Sequence, residues 1–182
     1  MRVAAVFCIA VSLAWSQSKP DVGSEPSPME AFASQTEVRT TWSSEVANLG
    51  KDATKVVLTA VVLESANSKM RGLKIELSIG SAHDTIYLDE EATERTRSAL
   101  IQIAGDTRLG LARNACMGAK EFWPLYDWPW NKYHELNADV CGQNSALVLY
   151  GRGRRVSYPL PGESATAFAG ILARALADAK EH

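Results

Sequence analysis

From residue 73 the chain alternates cleanly. Leu73, Ile75, Leu77 and Ile79 are separated by Lys74, Glu76 and Ser78, the period of two expected of a strand with one buried face. Gly80 to Asp84 reads as a turn, and Thr85 to Leu88 as a returning strand. Asp89 stands where a helix N-cap belongs, and Glu90 and Glu91 put negative charge at the positive end of the helix dipole. Ala92, Thr96, Ala99, Leu100 and Ile103 share one helical face, Glu91 can pair with Arg95 on the other, and Gly105 is a natural stop.

The rest of the chain follows less regular patterns. Lys55 to Leu63 is a short apolar run rich in β-branched residues, as in a central strand. Thr36 to Gly50 fits two templates: Val38, Trp42, Val46 and Leu49 would line a helix, whereas Thr40-Thr-Trp-Ser-Ser44 suits a strand. Ser145–Tyr150 and Arg155–Leu160 predict a second hairpin through Gly151 to Arg154, with Pro159 restricted to an edge or a strand end. After Pro161-Gly162, Ser164 caps a helix whose stripe is Phe168, Ile171, Leu172, Ala175, Leu176 and Ala179.

Hairpin, polar cap and helix thus occur in the same order twice, an arrangement compatible with two hairpin-helix pseudo-repeats. The expected class is α+β: an antiparallel sheet of about five to seven strands with two main helices on one face.

The first sixteen residues have the three-part form of a secretory signal peptide. Arg2 is the positive start, Val3 to Trp15 is apolar apart from Ser12, and Ala14-Trp15-Ser16 is a small-x-small cleavage site. This apolar run is short for a permanent membrane span, and the sequence has no other. Residues 17–36 are polar and proline-containing and read as a flexible leader. The organisation expected is therefore a signal peptide over 1–16, a leader over 17–36 and one α+β domain over 37–182, exported to a periplasm or secreted. Cleavage leaves 18 basic and 21 acidic residues, which is not the basic footprint of a nucleic-acid partner.

Export changes how the cysteines are read. Cys8 leaves with the signal peptide, and Cys116 and Cys141 remain as an even pair whose simplest state outside the cytoplasm is a disulfide. The alternative is a catalytic thiol acting with His134.

The most unusual stretch is Phe122 to Tyr133. Six of its twelve residues are aromatic and it holds three of the five tryptophans. Pro124 and Pro129 keep it from being a regular helix or a central strand. Trp123, Tyr126, Trp128, Trp130 and Tyr133 are the candidate binding residues, because flat rings give large contact area on a protein or glycan partner at low entropic cost. The same rings could instead fold inward as a minor core, and the sequence leaves both alternatives open.

Other chemistry is sparse. His134-Glu135 and His83-Asp84 each place an imidazole beside a carboxylate, which could serve a general base. Adjacent residues seldom converge on one site, and no zinc-type spacing accompanies them. Asp89-Glu90-Glu91 could hold calcium but is accounted for by helix capping. Gly151 to Arg155 could meet an anion, yet it lacks the Lys-Ser/Thr of a phosphate loop. No cofactor or metal is implied. The expected function is a non-enzymatic binding or interaction module with a contact loop over 122–133. The alternatives are a small envelope hydrolase using His134 with a carboxylate, and a structural or assembly component.

Overall fold

A computed structural model describes residues 27–108, 116–118, 137–141, 146–150 and 156–182. Their order is α1 (Pro28–Ala33), β1 (Arg39–Leu49), β2 (Thr54–Glu64), β3 (Lys69–Ile79), β4 (Ala82–Asp89), α2 (Glu90–Arg108), β5 (Cys116–Gly118), β6 (Asn137–Cys141), β7 (Ala146–Tyr150), β8 (Ser157–Leu160) and α3 (Ala165–Lys180). The class is α+β, as the sequence predicts. The described strands form two four-stranded antiparallel meanders, β1-β2-β3-β4 (sheet A) and β5-β6-β7-β8 (sheet B), where the sequence suggested one sheet of five to seven. In sequence the 19-residue helix α2 stands between the two meanders.

The apolar run read as a central strand is β2, paired with β1 on one side and β3 on the other. Val56, Leu58, Ala60, Leu73, Ile75, Leu77, Ile86 and Leu88 are buried on one face of sheet A. They share a single core with Leu147, Leu149, Tyr158 and Leu160 of sheet B and with the stripe of α3. Every stripe residue predicted for α3 is buried. Ser164 caps that helix, its Oγ accepting from the Ala167 N–H at 3.0 Å. Pro159 sits on β8, at the edge of sheet B, where its missing donor costs no ladder bond to a further strand.

β1 resolves the ambiguity over residues 36–50. It is a strand, and its pairing with β2 shifts register between Thr40 and Trp42 and again between Glu45 and Ala47. Each shift adds a residue to one strand and moves the inward phase by one. Trp42, Val46, Ala47 and Leu49 therefore all pack against the core, and this produces the three-to-four spacing that resembles a helix.

Three boundaries differ from the sequence reading. The β3–β4 turn is only Gly80-Ser81, led by Gly80 at φ +57°, so His83 and Asp84 lie within β4 rather than in the turn. α2 runs through Gly105 to Arg108. A glycine inside a helix costs about 1 kcal/mol relative to alanine, too little to end one held by packing on α3.

The third difference is that Pro28–Ala33, inside the segment read as a leader, form a helix. Ser27 Oγ accepts from the Glu30 N–H at 3.0 Å and donates to the Tyr87 backbone oxygen at 2.9 Å. Pro28 opens α1, and Met29 and Phe32 are buried against Val61 and Leu63 on the outer face of sheet A. Gly72 makes room for this. A β-carbon there would lie 2.1 Å from the Leu88 oxygen and 2.6 Å from Met29 Sδ. Two buried apolar anchors, each worth about 1.5–3 kcal/mol, outweigh the polar composition that suggested a free segment.

The end of α3 is fastened to three other elements. Lys180 pairs with Glu90 at the start of α2. Lys69 Nζ donates to the His182 backbone oxygen at 2.6 Å. The His182 ring stacks on Trp42 of β1 at 4.1 Å between centroids. No described helix is long and apolar enough to cross a membrane.

Candidate functional site

β5 and β6 are antiparallel neighbours in sheet B, so residues 119–136 connect them. The register pairs Cys116 with Cys141, Met117 with Val140 and Gly118 with Asp139. Directly opposed residues in such a ladder have Cα atoms about 4.5–5.5 Å apart. A disulfide spans Cα separations of about 4.4–6.8 Å, so the backbone brings the two cysteines to a compatible spacing.

The proposed contact residues Trp123, Tyr126, Trp128, Trp130 and Tyr133 lie outside the described residues, as do His134, Glu135 and residues Gly151 to Arg155, which the sequence suggested as a hairpin tip. In sequence the aromatic stretch falls between β5 and β6.

The other candidate pair, His83-Asp84, is separated by the strand. Successive residues of β4 point to opposite faces. His83 is exposed in the row with Ser78 and Lys55, while Asp84 points to the face that carries Ile86 and Leu88. The two therefore do not act on one substrate atom. Asp89 caps α2, its Oδ1 accepting from the Ala92 N–H at 2.8 Å. Glu90 pairs with Lys180 and Glu91 with Arg95, so all three acidic residues at this helix start have protein partners. Among the described residues no group of three or more His, Cys, Asp or Glu side chains is close enough to hold a metal ion.

One polar contact escaped the sequence reading. The Tyr158 hydroxyl of β8 donates to Asp84 Oδ2 of β4 at 2.6 Å, across 74 positions of sequence. Tyr158 is fully buried within the shared core. Burial first, then the hydrogen bond to Asp84 and the negative charge of that carboxylate, hold the phenol well above its ordinary pKa. An uncharged buried hydroxyl donating to a partly exposed carboxylate is an anchor between sheets rather than a proton donor near neutrality. The signal was present in the period: Asp84 is in phase with Ile86 and Leu88, and Tyr158 with Leu160, so each puts a polar atom on an inward face.

The described residues thus offer a two-sheet scaffold with a polar tie between the sheets, and in sequence the ring-rich stretch falls between β5 and β6 of sheet B. No family model, curated protein or solved structure matches this chain.

Proposed function

We propose that this is an exported, disulfide-bonded binding module that meets a protein or glycan partner through the aromatic residues of 122–133. The observation that carries the reading is the pairing of β5 with β6, which makes the aromatic stretch a connection between neighbouring strands with Cys116 opposite Cys141 near its base. A bond there would limit the freedom of the connection before a ligand arrives and lower the ordering cost of binding. Pro124 and Pro129 restrict it further by fixing φ. Trp128 and Trp130, flanking Pro129, are the central contacts. The signal sequence over 1–16 supports export to a periplasm or beyond. Among the described residues of the domain, four strands followed by a helix occur twice, which supports the reading of two pseudo-repeats.

The enzymatic alternative gains nothing from the described residues, because His83 and Asp84 diverge and the one buried tyrosine is held neutral. Iodide quenching of tryptophan fluorescence tests the proposal on the mature protein. Three of its four tryptophans lie in the stretch, so most of the emission should be quenchable in the folded state. Emission that iodide barely reaches would mean the rings are internal, and the contact-loop reading would be abandoned.

A further inference from the structure

Sheet B begins with a strand of three residues. β5 spans Cys116–Gly118, has β6 on one side and no described strand on the other. Three paired positions are a weak hold, because fixing a residue's backbone costs more entropy than a ladder hydrogen bond returns net. The long connection to β6 adds the entropy of closing a loop. Something besides the ladder must keep β5 in register, and the first residue of the strand is a cysteine opposite a cysteine.

We propose that Cys116 and Cys141 form a thiol–disulfide exchange site whose oxidised form staples β5 to β6 and whose reduced form releases it. The inference rests on the export reading above, since that compartment supplies the co-reactant: the disulfide form of a thiol oxidoreductase. The thiolate of one cysteine attacks the oxidant's sulfur–sulfur bond, giving a mixed disulfide and freeing one oxidant thiolate. The second cysteine's thiolate then attacks the mixed disulfide, forming the Cys116–Cys141 bond and expelling the oxidant as a dithiol. Two electrons and two protons pass from the cysteine pair to the oxidant, and a dithiol reductant reverses both steps. Closing a loop of about 26 residues should favour the paired state of β5 by roughly 100- to 400-fold in the chain-entropy account. Release of β5 turns β6 into the edge of sheet B and leaves its outer N–H and C=O groups free to accept an extended strand.

The test is hydrogen exchange with mass analysis on the purified exported protein, oxidised and then treated with dithiothreitol. On reduction, exchange at 116–118 and 139–141 should accelerate at least about 10-fold, with β2 and α3 unchanged as internal standards. The double variant Cys116→Ser/Cys141→Ser should exchange fast at the same positions in either buffer. If that variant does not fold, reduction and reoxidation of the native chain carry the comparison alone. Unchanged exchange on reduction would overturn the staple while leaving the disulfide and the export reading standing. Acceleration spreading through β2 and α3 would also overturn it, because the bond would then support the whole fold. Two alkylatable thiols in the native exported protein would overturn both the exchange site and the disulfide of the proposed module.

Discussion

Replacing Tyr158 by phenylalanine keeps the ring in the core and removes only the donor to Asp84. A 2.6 Å O–H···O contact to a carboxylate is a charge-assisted hydrogen bond, the kind worth about 1.5–3 kcal/mol net. Asp84 is only half-buried and can recover some water when its donor goes, so Tyr158→Phe should cost about 1.5 kcal/mol. In a domain of this size that is a fall of roughly 3–6 °C in Tm. Asp84→Ala should cost about 1–3 kcal/mol, because it leaves a buried phenol O–H with no acceptor. The double variant should be less destabilised than the two single variants added together, by about 1–2 kcal/mol. Urea melts followed by far-UV circular dichroism at pH 7 measure all four proteins. Additive effects, or a Tyr158→Phe variant within about 0.5 kcal/mol of the parent, would show that the two side chains do not hold the sheets together.

Other consequences follow from the same geometry. Folding raises the Tyr158 pKa, so its contribution is fully present below the ordinary phenol value near pH 10 and is lost as pH rises toward the folded value. The stability gap between the parent and Tyr158→Phe should therefore shrink by about 1.4 kcal/mol per pH unit above pH 10, and a constant gap would contradict the burial of the hydroxyl. Gly72→Ala should destabilise by about 1–3 kcal/mol, since its β-carbon would meet the Leu88 backbone oxygen and Met29 Sδ. The loss should be accompanied by faster exchange in α1, and an unperturbed α1 would refute the notch. The intact mass of the exported protein should lack residues 1–16, and its native form should carry no free thiol. Retention of the first sixteen residues would remove the export reading.

What the sequence revealed and what it concealed divide along physical lines. β3, the start of α2 and all of α3 were legible because burial on one face imposes a strict period on the side chains, and because Asp89 and Ser164 mark the helix starts chemically. β1 was not, because two register shifts reset its phase and made strand spacing imitate a helix. The docking of α1 was hidden because two anchors, Met29 and Phe32, sit in an otherwise polar segment, and the glycine that admits Met29 lies 43 positions later. The period puts Asp84 and Tyr158 on inward faces, but their meeting depends on the packing of one sheet on the other, which the local pattern does not encode. The opposition of Cys116 and Cys141 follows from pairing across a connection whose composition carries no period. The candidate contact residues were legible as composition only: six rings between two cysteines, interrupted by two prolines.

The central claim is that the rings of 122–133 form a contact surface rather than a core, and the melting temperature of Trp128→Ala/Trp130→Ala tests it most directly. Exposed side chains replaced by alanine change stability by about 0.5 kcal/mol or less each, so the double variant should melt within about 4 °C of the parent. It should also lose most of its affinity for any protein or glycan the parent binds. Core tryptophans would each cost about 3–5 kcal/mol, and the same variant would then melt more than about 10 °C lower. A fall of that size would contradict the account.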